Sequence, residues 1–134
     1  MGEHPFTPAP AYRQELAILR RQGLASWEAV AALSLPAIRK LGGHSPGSEA
    51  RLIRLRGQAR LVVEVDLAPA EAALLLHAGV ADRRGLAEAD PHGLHRQVGR
   101  LQRGLTGRAM APISLVTVRA WILQAAVAPG RSWN

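Results

Sequence analysis

The sequence has no cysteine and very few aromatic residues: three Trp, one Tyr and one Phe in 134 positions. Without cysteine there is no disulfide, no thiol nucleophile and no thiolate zinc site. Aromatics make up 4% of the chain and hydrophobic residues 48%, mainly Ala, Leu and Val. That balance disfavours a β-sandwich and favours closely packed helices. No apolar run approaches the ~20 residues of a membrane span. The opening, MGEHPFTPAPAYRQ, lacks the basic start and apolar stretch of a secretory signal. Phe6 stands where a myristoylation signal wants Ser or Thr. The expectation is a soluble, cytoplasmic protein. A chain of this length suits one domain, or two small modules that share a core.

Acidic residues are the second scarcity. Ten Asp and Glu stand against seventeen Lys and Arg, a formal charge of +7, and all but one of the cations are Arg. After Asp90 no acid occurs, while Arg96, Arg100, Arg103, Arg108, Arg119 and Arg131 remain. A high-GC genome accounts for Arg in place of Lys but not for the missing acids. A field of one sign favours an anionic partner: nucleic acid, an acidic protein surface or anionic lipid.

Along the chain, residues 1–11 read as a flexible Pro-rich lead, with Pro5, Pro8 and Pro10. A helix from Tyr12 carries Leu16, Ile18 and Leu19 and stops at Gly23. Ser26 caps a short helix with Trp27, Val30 and Leu33. Ser34 caps the next, with Ile38 and Leu41. After a glycine loop, Ser48 is expected to cap a longer helix with Leu52, Leu55, Ala59, Val62 and Val63 on one stripe. Arg51, Arg54, Arg56 and Arg60 then project elsewhere.

The pattern then recurs. At an offset of 56, Gly23 matches Gly79, Leu19 matches Leu75, Ser26 matches Asp82, Val30 matches Leu86 and Ser34 matches Asp90. At an offset of 66, Pro46 matches Pro112, Leu52 matches Val118 and Leu55 matches Trp121. The ten extra residues fall in Arg100–Ala111. Caps, glycines and core positions repeat together, which predicts two related helical units, 12–65 and 66–128, and a tail over 129–134. In the second unit Leu94, Val98, Leu101 and Leu105 make one face, and Arg96, Arg100 and Arg103 the opposite one.

The stretch Asp66–Val80, DLAPAEAALLLHAGV, resembles the helix-hairpin-helix pattern GVGPKTAEALLEAGI without a gap. With the upstream copy, residues 12–127 resemble tandem helix-hairpin-helix proteins of an uncharacterised cyanobacterial-type family. The resemblance implies an all-α fold of two such units packed as one compact domain. It also implies nucleic acid as a partner, because the hairpin glycines of DNA-binding members let backbone N–H groups approach a phosphate. Here Asp66 and Ala68 replace those glycines in the second unit, and Pro10 and Tyr12 in the first. A carboxylate repels phosphate and proline has no N–H to offer, so the contact is expected elsewhere.

The leading candidate surface is therefore the stripe Arg96, Arg100, Arg103 and Arg108, with Arg51 and Arg54 beside it as a second set. The alternative is an ordinary solvated helix face. The turn 42–48 leading into Arg51, Arg54, Arg56 and Arg60 reads as an anion nest or a plain loop; it lacks the lysine and spacing of a P-loop. Asp90, His92 and His95 have metal-ligand chemistry, but Asp90 is better explained as a helix cap, so no metal and no cofactor are expected. No nucleophile elbow, His-Glu zinc motif or Ser/His/Asp grouping occurs on one element. The sequence thus points to a non-enzymatic binding module for nucleic acid or, alternatively, to a protein-interaction adaptor.

Overall fold

A computed structural model describes residues 4–43, 45–104 and 111–129. Leu105, Arg108, Arg131 and the tail 130–134 lie outside the described residues. Side chains set most of the helix starts. Ser26, Ser34, Asp82, Asp90 and Ser114 each accept the backbone N–H three residues on, at 3.1, 3.2, 2.7, 2.7 and 3.1 Å. Each satisfies a donor that an α-helix leaves without an internal partner. The elements are α1 (Arg13–Arg21), α2 (Trp27–Ala31), α3 (Leu35–Leu41), α4 (Pro46–Val65), α5 (Pro69–His77), α6 (Arg83–Ala87), α7 (Pro91–Gly104) and α8 (Leu115–Val127). A 3-10 turn at Pro10–Tyr12 leads into α1. The protein is all-α, with no strand among the described residues.

The expected cap Ser48 is not the start of α4. Ser45 caps it and the Ser48 N–H donates to Ser45 Oγ at 3.3 Å. Pro46 has its φ fixed near the helical value and lacks an N–H, so it takes the first helical position and moves the start forward. Two stops follow one design. Gly23 and Gly79 have φ of +75° and +92°. That conformation turns the chain so that the Leu24 N–H reaches the Leu19 carbonyl and the Val80 N–H the Leu75 carbonyl, both at 2.9 Å.

Helix α4, roughly 30 Å long, is the axis of the packing. It contacts α1, α2 and α3 and also α5, α6 and α8, while α7 packs on α5 and α8. Leu52, Leu55, Ala59, Leu61 and Val62 of α4 are buried in a single core with Leu19, Val30, Ile38, Leu75, Leu86, Val98, Val118 and Trp121. Two of the arginines that lie off the apolar stripe of α4 bind backbone carbonyls at and just past the end of α2. Arg60 donates to the Ala31 carbonyl at 2.9 Å and Arg56 to the Leu33 carbonyl at 3.2 Å. A short helix leaves its last carbonyls without an internal donor; Arg60 serves one of these, and Arg56 the carbonyl two residues past the end.

The lead is extended as expected, but from His4 onward it is docked rather than loose. The Phe6 N–H donates to Ala25 O at 3.0 Å and the Trp27 N–H to His4 O at 2.9 Å. The Phe6 ring is buried edge-on against Trp27, with centroids 4.8 Å apart. Burial of this one Phe outweighs the backbone freedom the prolines suggest. His4 closes the strap: its N–H and its Nδ1 meet the two Glu28 carboxylate oxygens at 2.9 and 2.6 Å.

The clasp is pH-dependent. The hydrogen bond to Glu28, aided by the charges of Glu28 and Asp66, raises the His4 pKa above 6.5. Burial pushes the Glu28 carboxyl up, but hydrogen bonds from the His4 ring and N–H outweigh it and bring the value below 4.5. The His4 contribution is present below pH 6.5 and is lost as pH rises through its raised pKa. The Glu28 contribution is present above pH 4.5 and is lost as pH falls through its lowered pKa. The strap is therefore held best between those ordinary values. An NMR titration of the His4 ring should give a pKa above the free-histidine value, and Glu28→Gln should return it there. An unchanged His4 titration in that variant would contradict the clasp.

Candidate anionic-partner interface

Helix α7 is amphipathic. Leu94 and Val98 are buried and Leu101 is half-buried, which turns Arg96, Arg100 and Arg103 to solvent. These three arginines, with His95, Gly99, Gln102, Pro112 and Ile113, line one groove of about 550 Å³ between α7 and the segment entering α8. No acid lines it. Arg100 donates to Gln97 Oε1. Arg103 lies across Gly99, where a Cβ would stand 3.3 Å from its Nη1.

The opposite wall of the groove is fixed by side chains the sequence did not single out. Gln102 uses both ends of its amide, donating to Ala111 O at 3.1 Å and accepting the Ile113 N–H at 3.0 Å. The His95 Nε2 meets Ile113 O at 3.1 Å. Gln102 borders the apolar stripe of α7 at an unremarkable polar position, so nothing in the pattern marks it.

The structure brings Arg96, Arg100 and Arg103 together and separates Arg51 and Arg54 from them. Arg54 is exposed on α4 and does not line the groove. Arg51 is engaged elsewhere. Its Nε is 3.2 Å from Oε1 of Glu15, a carboxylate nearly without solvent contact. Its guanidinium carbon sits 4.7 Å over the Tyr12 ring, and Nη2 donates to Ala11 O. Arg51 is a clasp between α4 and the start of α1, because burying Glu15 demands a counter-charge. The turn before α4 is no better as an anion nest: the pocket there is lined by Arg39 and Glu49, which pair at 3.6 Å.

None of the described acids lines the groove. Glu15, Glu28, Glu49 and Glu88 form ion pairs with Arg51, His4, Arg39 and Arg84. Asp82 and Asp90 cap helices. His92 Nε2 faces Arg119 at 3.3 Å, and among the described residues no three His, Asp or Glu gather as a metal site.

At two of the positions where the resembled pattern has glycine, Ala68 and Tyr12, the backbone N–H has an internal partner. The Ala68 N–H donates to the Glu71 carboxylate at 3.0 Å, and Pro69 follows with no N–H. In the first half Pro10 has none, and the Tyr12 N–H donates to Ala9 O at 2.9 Å.

Fold and surface together define an all-α protein with a one-sided basic groove, and no helix among the described residues is long and apolar enough to cross a membrane. The chain belongs to the family of the domain of unknown function DUF4332, which matches residues 10–127. No curated protein and no solved structure matches it.

Proposed function

We propose that this protein is a non-enzymatic binding module built from two tandem helix-hairpin-helix-like units, and that it holds nucleic acid with little sequence specificity along α7. The observation that carries the reading is the groove itself. Arg96, Arg100 and Arg103 converge on it, and no acid among the described residues lines it against them. Three cations over eight residues span about 10 Å of helix, enough to follow consecutive phosphates of one strand. The repeat of caps and glycine stops at a constant offset supports the tandem-unit reading.

Fluorescence anisotropy with labelled single-stranded and duplex DNA and RNA at two salt concentrations tests it. Wild type should bind at micromolar levels or tighter. Arg96/Arg100/Arg103→Gln should weaken binding at least about tenfold at low salt and flatten the log–log salt slope by about three. No binding at low salt would sink the nucleic-acid reading. One observation favours a second reading, an interaction adaptor: the hairpin N–H of Ala68 is occupied by Glu71. Salt-insensitive capture of one defined protein would support that alternative.

A further inference from the structure

Helix α8 is apolar on two opposite faces. Val118, Trp121 and Ala125 are buried in the core. Val116, Leu123 and Val127 are 78%, 64% and 72% exposed, and Ala120 between them is exposed too. The four outward residues are spaced four, three and four apart, so they form one straight stripe. A helix apolar all round is normally covered all round. At the 66-residue offset, Leu123 and Val127 match Gly57 and Leu61 of α4. Leu61 is fully buried, and Gly57 lies close under Leu76 of α5. Leu123 and Val127 thus have covered counterparts on α4, whereas Val116 and Ala120 match Ala50 and Arg54, which are exposed there too; among the described residues nothing covers the α8 stripe.

We propose that a second copy of this chain covers it, with the two α8 helices packed antiparallel about a twofold axis. The stripe is its own complement in that direction. Its spacing reads the same from either end, so Val116 meets Val127 of the other copy and Ala120 meets Leu123, small against large. A twofold interface requires this reciprocity. Charge does not oppose the seam. Arg119 is the only charged residue of α8. It stands at the flank, offset along the axis from its symmetry mate by about 7.5 Å at 1.5 Å per residue. The area sets the strength. A helix of this length is about 20 Å long and 10 Å wide. The pair occludes a few hundred Å² per copy, against ~800 Å² for a standard stable interface, so a dissociation constant on the order of 0.1 mM is expected.

The test is sedimentation velocity of the full chain over rising concentration at two ionic strengths. Wild type should move from monomer to dimer, and more readily at high salt, because salt screens repulsion between two +7 copies. Leu123→Glu should weaken association at least about tenfold, with unchanged helical circular dichroism and melting, since its side chain faces water in the monomer. Because the chain has no cysteine, Val116→Cys and Val127→Cys can be mixed and oxidised, and the mixed disulfide should predominate. A wild type that stays monomeric at about 1 mM in high salt, a Leu123→Glu variant that dimerises like wild type, or like-with-like disulfides would each overturn the proposal. Failure here leaves the nucleic-acid reading untouched, because α7 and the α8 stripe are separate faces.

Discussion

Replacing Trp27 with alanine is expected to lower the unfolding free energy by about 3–5 kcal/mol, the usual cost of emptying a large aromatic site in a packed core. Trp27 is 1% exposed and has two jobs. It opens α2, which packs on α4, and it supplies the surface on which Phe6 rests. Its indole Nε1 is buried with no hydrogen-bond partner among the described residues. Trp27→Phe should therefore be far milder, within about 1.5 kcal/mol, since it keeps most of the volume and removes an unsatisfied donor. Urea unfolding followed by circular dichroism measures both. Limited proteolysis reports the local effect: in Trp27→Ala the bonds from Pro5 to Pro8 should become cleavable before the core opens. A loss below about 1 kcal/mol in Trp27→Ala would mean that the strap and α2 are not coupled through this ring.

Removing the Arg51 guanidinium is the second large expected effect. Arg51→Gln should destabilise by about 2–3 kcal/mol, below the 3–5 kcal/mol of a fully buried pair because Arg51 is itself partly solvated. Its side chain is 40% exposed while that of Glu15 is 2% exposed. The variant strands a carboxylate in the core. The double variant Arg51→Met/Glu15→Leu should recover most of the loss, because replacing both charges removes the desolvation cost along with the attraction. Chemical denaturation of the two singles and the double closes the cycle. If Arg51→Gln were neutral in stability yet flattened the salt dependence of nucleic-acid binding, Arg51 would belong to the interface instead.

These two sites also show what the sequence can and cannot reveal. Caps and stops were legible because they are local. Ser26, Ser34, Asp82, Asp90 and Ser114 act on an N–H three residues away, and Gly23 and Gly79 act through their own φ. The apolar face of α7 and the outward set of its arginines follow from helical period alone. The roles of Arg51, Arg56 and Arg60 were not legible. Their partners, Ala11 O, Glu15, Leu33 O and Ala31 O, lie 23 to 40 residues away in sequence, and a helical wheel has no place for them. The docked lead was missed for a related reason. Pro5, Pro8 and Pro10 signal extended chain, but only the fold reveals that Phe6 has an aromatic surface to settle on. Ser48 has the residue type of a cap, but Pro46 takes the first helical position and makes Ser45 the cap.

Helix α4 carries a consequence for how the molecule opens. In an array whose repeats touch only their neighbours, one end can melt while the other persists. Here α2 and α3 pack on the same helix as α5, α6 and α8. Neither half owns its core, so neither can be shed without exposing the flank of α4 that the other half covers. The slowest-exchanging amides of α2, α4 and α8 should therefore share one protection factor, that of global unfolding. The junction between the two halves is thereby the least separable part of the chain.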